Sequence, residues 1–304
     1  MQNVDVLGFG IATQDYVANV EAWPREGSKA PMTGLSLHGG GLVATALVAV
    51  ARLGGTASIV AKLGHSDVAN AVVDGLVKEG IDTSMVVREN GAEPIVAFVF
   101  ATRNSGERTI LHSRDELRFP ELHEFPDPEW PKKASCLLLD HYPRDPSIDA
   151  AKAAREQGVP VVVDFERDWP HVHEGLSLAT HIVLSQPFAA SMTGEKSLSG
   201  MMKALRTSTE QTIIITRGRA GCVASTPDGD FEQPAFEVDV VDTTGCGDVF
   251  HGAYAFAVTR KMDSPDAVRF ASGTAALCAT RLGGRDGIPT RPELEKFLAG
   301  QNPT

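Results

Sequence analysis

The chain has 304 residues, 42% of them apolar and 22% charged, a composition that supports a substantial core and excludes disordered and fibrous classes. Its 28 Lys and Arg face 39 Asp and Glu, for a net charge of −11, which leaves no broad basic field for nucleic acid or an anionic membrane surface. Any bound anion must therefore be held by local devices, such as backbone N–H groups at a helix start.

The opening Met1 to Asp5 has no basic segment ahead of an apolar run, so no secretory signal is expected. The longest uncharged stretch, Gly39 to Ala51, falls short of the roughly 18 apolar residues of a membrane span. Cys136, Cys222, Cys246 and Cys278 are widely spaced with no CxxC, which predicts reduced thiols and a cytoplasmic protein.

In chain order, Gly8-Phe9-Gly10 follows a first strand. Thr13 takes the third glycine position of a dinucleotide fingerprint and no helical run follows, so that motif is not made. Residues from about 16 to 38, and again from about 93 to 114, alternate as strands do (Val96, Phe98, Phe100, then Thr109 and Leu111), which predicts an antiparallel flap on a larger sheet. His38-Gly39-Gly40-Gly41 opens an Ala- and Val-rich helix, Leu42 to Leu53, closed by Gly54-Gly55. These glycines fit either the approach of a small molecule or a flexible flap joint. Ser66 lacks the closing glycine of a nucleophile elbow and reads as a helix N-cap.

The second half alternates plainly: Cys136 to Leu139, a helix from Ser147 to Gln157, Val159 to Val163, Ile182 to Leu184, and Ile213 to Ile215. Such runs read as strands buried on both faces of a mostly parallel sheet. The expected fold is a three-layer α/β/α sandwich with a small antiparallel β lid, one domain over 1–304. Ligands in such sheets sit beyond the strands' carboxyl ends, here marked by Asp140, Asp164, Ser185 and Thr216. His171 and His173 have no third ligand nearby and read as surface residues. No GxxxxGK[ST] occurs.

The segment Val240-Val241-Asp242-Thr243-Thr244-Gly245-Cys246-Gly247-Asp248 passes from an extended β-branched stretch through a glycine turn into an apolar run, Val249 to Val258, that fits a buried helix. Gly245 and Gly247 let successive N–H groups converge on an anion where the helix dipole also favours negative charge. Asp248 would stand beside that anion and could accept a proton from an attacking hydroxyl. A plainer reading is a helix capped by Thr244, with Asp248 as a first-turn acid. The second glycine favours a ligand.

Asp242 to Asp248 with Phe250 and Gly252, Gly40-Gly41 before a helix ending Ala51-Arg52-Leu53-Gly54, Thr216-Arg217-Gly218, Gly106-Glu107-Arg108-Thr109, and Ala271 to Gly284 together resemble the ribokinase-like (PfkB) carbohydrate kinases. The resemblance implies transfer of the γ-phosphoryl group of ATP to a sugar hydroxymethyl group, with Mg²⁺ on the nucleotide. It makes Asp248 the base and the amides of Gly245, Cys246 and Gly247 the anion hole. Asp15, Gly40, Gly41 and Thr45 would hold the sugar, with Lys29, Arg108 and Asp140 as further substrate contacts. Thr216, Gly218, Ser272 and Thr244 would serve the nucleotide, and Asp242 and Gly283 would mark a site for K⁺. Thr45 stands where many members have Asn, and Ser185-Gln186-Pro187-Phe188 replaces an Asn-x-x-Glu motif. The first departure shortens or removes a sugar contact; the second, with Gln233 to Phe236 and Phe270 to Gly273, resembles the ketohexokinase and sulfofructose kinase-like branch and suggests a ketose or ketose derivative. A nucleoside or other small-alcohol kinase, and a non-catalytic sugar- or nucleotide-binding protein on the same scaffold, are the alternatives. The resemblance also implies a homodimer through the lid.

Overall fold

The computed structural model describes residues 1–102 and 108–301. The chain opens with β1 (Val4–Phe9), leads into lid strands β2 (Thr13–Val20) and β3 (Met32–Gly40), and returns through α1 (Leu42–Arg52) to β4 (Ala57–Leu63). After α2 (Asp67–Lys78) and β5 (Val86–Arg88) it re-enters the lid as β6 (Ile95–Thr102) and β7 (Arg108–Ser113). Regular alternation follows: β8 (Ala134–Asp140), α3 (Asp145–Glu156), β9 (Val161–Asp164), α4 (Val172–Leu178), β10 (His181–Ser185), α5 (Gln186–Thr193), α6 (Leu198–Leu205) and β11 (Thr212–Thr216). A hairpin of β12 (Cys222–Thr226) and β13 (Gly229–Gln233) precedes α7 (Cys246–Thr259), α8 (Ser264–Cys278) and α9 (Arg291–Ala299).

The main sheet runs in the order β13-β12-β11-β10-β9-β8-β1-β4-β5, parallel except for the antiparallel β11-β12-β13 edge. The same strands supply both cores, because successive side chains leave opposite faces. Val6, Cys136, Leu138, Val162 and Ile214 pack with α1, α7 and α8, whereas Leu7, Leu137, Val161, Val163 and Ile213 pack with α3, α4 and α6. The second core also holds Trp130, Phe165 and Trp169. No helix among the described residues is long and apolar enough to cross a membrane.

The lid has the order β3-β2-β6-β7. Its outer pairings are antiparallel and its central pairing, β2 with β6, is parallel. The parallel ladder arises because main-sheet elements separate these two strands in sequence. The β-branched stretch before the glycine turn does not join any sheet. Residues 234–243 run without helix or strand, and the amides of Val241 and Asp242 donate to the carbonyl of Ala279 beyond α8. Gly245, in the left-handed region at φ 72°, takes the N-cap place expected for Thr244. Ser66 caps α2 as expected, accepting from the amide of Ala69 at 3.1 Å.

α7 is buried without interruption from Val249 to Ala257. It crosses α1 so closely that a β-carbon on Gly252 would stand 2.0 Å from the carbonyl oxygen of Ala46. This contact sets α7 against α1, and His251 at its start reaches Asp164 at the end of β9 and the carbonyl of Val183 in β10.

Candidate active site

The residues Thr243 to Asp248 divide two cavities. One, of about 750 Å³, lies under the lid and is lined by Asp15, Asn19 and His38, by Gly40, Gly41 and Thr45, and by Gly245 and Asp248. The other, of about 1040 Å³, is lined by Thr216, Gly218, Phe236 and Ser272 together with Cys246 and Gly247. Val240 and Thr243 border both.

At the dividing turn, Val249 N donates to Gly245 O at 2.8 Å, the first bond of the helix ladder. The amides of Gly245, Gly247 and Asp248 precede that bond and find no protein acceptor among the described residues, so three N–H groups are open at the positive end of the helix. Of the three amides expected in the anion hole, Cys246 N is drawn into the turn by Thr243 O at 3.3 Å. The Asp248 amide joins those of Gly245 and Gly247 as an open donor. Gly247 has nothing within 4 Å of where a β-carbon would stand, so its backbone is accessible to a ligand.

The carboxyl group of Asp248 faces the lid-side cavity. Burial raises its pKa, the negative charges of Asp164, Glu166 and Asp140 raise it further, and Arg285 opposes them. Asp242 ties the turn from below. Its Oδ1 accepts from Thr244 N at 2.9 Å and Thr244 Oγ1 at 2.7 Å, and its Oδ2 accepts from Gly283 N at 2.9 Å. Asp242 and Gly283 are thus brought together, while Thr244 lines the lid-side cavity rather than the one with Thr216, Gly218 and Ser272.

The run of glycines before α1 is required by its neighbours. A β-carbon on Gly39 would meet the Arg285 guanidinium at 2.1 Å, and one on Gly40 would meet Asp15 Oδ2 at 2.2 Å. Gly41, at φ 95°, approaches the carbonyl of Ile11 equally closely. Asp15 accepts from Thr13 Oγ1 at 2.7 Å. Burial raises its pKa, and the Thr13 hydrogen bond and the charges of Arg285 and His38 pull it back. Arg285, 8% exposed, donates through Nη2 to Gly40 O at 2.8 Å and through Nε to Thr45 Oγ1 at 3.4 Å. Burial lowers its guanidinium to about 10.

Two expected contacts fall elsewhere, and a third lies outside the described residues. Asp140 borders neither cavity. It is fully buried, and its oxygens accept from Ile11 N at 2.8 Å and Tyr142 N at 2.9 Å. Desolvation pushes it up to about 7. It therefore ties strand ends together instead of meeting substrate. Lys29 is exposed between β2 and β3 and also borders neither cavity. The side chain of Arg108, and Gly106 and Glu107, lie outside the described residues.

Arg285, His38 and Asn19 are site residues that the motifs did not single out. Arg285 directly follows the Gly283-Gly284 pair, and that adjacency was its one signal. His38 precedes the glycine run, bonds Ser36 Oγ at 2.8 Å and lies 3.8 Å from Asp286, so it spans from lid to loop. Among the described residues no group of three or more His, Cys, Asp or Glu could hold a metal.

Comparison with known proteins shows the family. The chain is 25% identical over 299 residues to a ribokinase of Bacillus subtilis, covering 98% of this chain and all of the relative. It is 30% identical over 319 residues to fructokinase-1 of Oryza sativa, covering 96% and 97%. The structure of an Arabidopsis thaliana ribokinase complexed with ribose and ATP shares the fold at a TM-score of 0.85 and 23% identity, over 99% of this chain and 100% of that one. The model of the pfkB family carbohydrate kinases matches residues 3–291, and the chain belongs to that family.

Proposed function

We propose that this enzyme transfers the γ-phosphoryl group of ATP to a primary hydroxyl of a small sugar, a ketose or ketose derivative, with Asp248 as the general base. The observation that carries the reading is the pairing, on one turn between two cavities, of a carboxylate on the lid side with the open amides of the same turn. ATP enters as its magnesium complex, whose ion neutralises phosphate charge. The acceptor oxygen attacks the γ-phosphorus, the bond to the ADP oxygen breaks, and the acceptor proton passes to Asp248. The amides of Gly247 and Asp248 face the oxygens on which charge spreads, where preset dipoles need no reorganisation. Asp15, Gly40, Gly41 and Thr45 hold sugar hydroxyls, with Arg285 bracing them from behind. Thr216, Gly218 and Ser272 serve the nucleotide.

The polar lining of Asp15, Asn19, His38 and Thr45 favours a polyol over a flat base. The ketose assignment is supported by Ser185-Gln186-Pro187-Phe188 standing in place of the Asn-x-x-Glu motif. Activation by K⁺ beside Asp242 and Gly283 belongs to the same reading, supported by the Gly283 amide bond that gathers carboxylate and loop at one point. Higher rates in KCl than in NaCl at equal ionic strength are expected.

The test is ADP release across ketoses, aldoses, sulfonated and phosphorylated sugars and nucleosides. Asp248→Asn should retain nucleotide binding while kcat falls by about 10² to 10⁴. Turnover near wild type in that variant would remove the assignment of the base.

A further inference from the structure

His251 lies one turn into α7, 5% exposed, with its ring held on both sides. Nε2 is 2.9 Å from the carbonyl oxygen of Val183 in β10, and Nδ1 is 2.8 Å from the carbonyl oxygen of Gly247. Carbonyl oxygens only accept, so each contact requires a proton on the nitrogen that faces it. Nδ1 also lies 3.3 Å from Oδ2 of Asp164, at the end of β9. That oxygen has no hydrogen-bond partner among the described residues, although Asp164 is 4% exposed. Burial opposes charge on each group taken singly, raising Asp164 and lowering His251. Together they hold one proton at no net charge, and the two carbonyls facing the ring decide that it sits on the imidazole.

We propose that Asp164 and His251 form a buried carboxylate–imidazolium couple that positions the phosphoryl-binding turn. The charged ring donates to Gly247 and Val183 at once and so pins the first turn of α7 to the ends of β9 and β10. The other ionisable groups around it are Glu166 after β9, Asp140 at the end of β8, Asp248 on α7 itself and Arg285 from the loop before α9. Glu166 favours the imidazolium. Tyr254, one turn on, is engaged with His181 at 2.9 Å. When the couple loses its proton, a lone pair faces the Gly247 carbonyl. The Asp164 charge then stands uncompensated behind the amides that must receive phosphoryl oxygens. Phosphoryl transfer should therefore fall on an alkaline limb set by this couple. The role in transfer rests on the kinase reading above; the protonation state does not.

Nitrogen-15 NMR of imidazole-labelled protein at pH 7 tests the state directly, with the signal assigned among nine histidines by its loss in His251→Gln. Both ring nitrogens should carry a bound hydrogen, and a bare ring nitrogen would overturn the couple. Asp164→Asn should move the alkaline limb of kcat down by about one pH unit or more, because the counter-charge is gone. His251→Gln should abolish the limb and lower kcat by about ten- to a hundredfold, with sugar KM within about twofold, as expected for loss of a charge-assisted hydrogen bond outside the sugar site. Circular dichroism checks the fold of both variants. An unmoved limb in folded Asp164→Asn would overturn the positioning role. Full turnover in Asp248→Asn alongside a doubly protonated ring would instead fault the assignment of the base and leave the couple standing.

Discussion

Asp140 and Asp248 sit near the same edge of the sheet, and burial raises both, but their oxygens have different partners. Those of Asp140 accept the amides of Ile11 and Tyr142, whereas Asp248 faces a cavity. For Asp140 the consequence is a stability that depends on pH. Its folded pKa, near 7, stands above the ordinary value of 3.8, so between those values the native state holds a proton that the unfolded chain has released. Stability from this group is full below about pH 4 and is lost as pH rises through 7, at about 1.4 kcal/mol per unit. Buried His141 and His181, both lowered to about 4, act in the opposite sense between 4 and 6.5, so the net curve of the wild type hides the effect. The difference between variants exposes it: Asp140→Asn should gain in Tm relative to wild type as pH rises from 5 to 8, and parallel curves would refute the assignment. Strand-end carboxylates were legible in the sequence as a group. Which one faces substrate was not, because that depends on whether neighbouring amides claim the oxygens. Arg285 was hidden for a related reason: its partners, Gly40 and Thr45, lie some 240 positions away in the chain, and the neighbouring Gly283-Gly284 pair is its one local mark.

Among elements, α7 carries the densest constraint. Gly252 has no role in a turn and lies in ordinary helix, where glycine costs stability relative to alanine. Its place is explained by α1, whose Ala46 carbonyl leaves no room for a β-carbon. Gly252→Ala should therefore destabilise despite better helix propensity, by about 1–3 kcal/mol from overpacking. Urea titration should show a lower midpoint at unchanged slope, with activity lost as the first turn shifts; an equal or higher midpoint would show that the helices separate freely. The helix itself and the strands ending at Asp140, Asp164, Ser185 and Thr216 were readable from apolar runs, since a strand buried on both faces needs no pairing information to be recognised. The stretch before Asp242 misled for that reason. Its β-branched residues suit a strand, but the acceptor they meet is the Ala279 carbonyl at the end of a helix, and only tertiary placement decides that.

For the whole molecule, the lid presents two different faces. Asp15, Val17, Asn19, Val99 and Ala101 look into the cavity. In the opposite phase of the same strands, Leu37, Tyr16, Phe98 and Leu111 are in register across all four strands, with Tyr16 and Phe98 stacked at 5.2 Å. Leu37, Phe98 and Leu111 are 54%, 45% and 53% exposed, and Met32 and Leu35 are similarly open. A contiguous apolar row on a chain of net charge −11 is a surface that water disfavours and that a second copy would cover. We accordingly expect a homodimer joined lid to lid. Because each strand shows one phase to the partner and the other to the sugar, association should steady the wall that closes over the acceptor and exclude water during transfer. Phe98→Asp places a charge at the centre of the row without touching the cavity phase. Equilibrium sedimentation should give twice the chain mass for wild type at micromolar concentration and the single chain mass for Phe98→Asp, with a higher sugar KM in the variant. Val77→Asp, equally exposed at 55% but on α2, should change neither. Wild type sedimenting as a single chain at that concentration would leave the apolar row without a second copy to cover it.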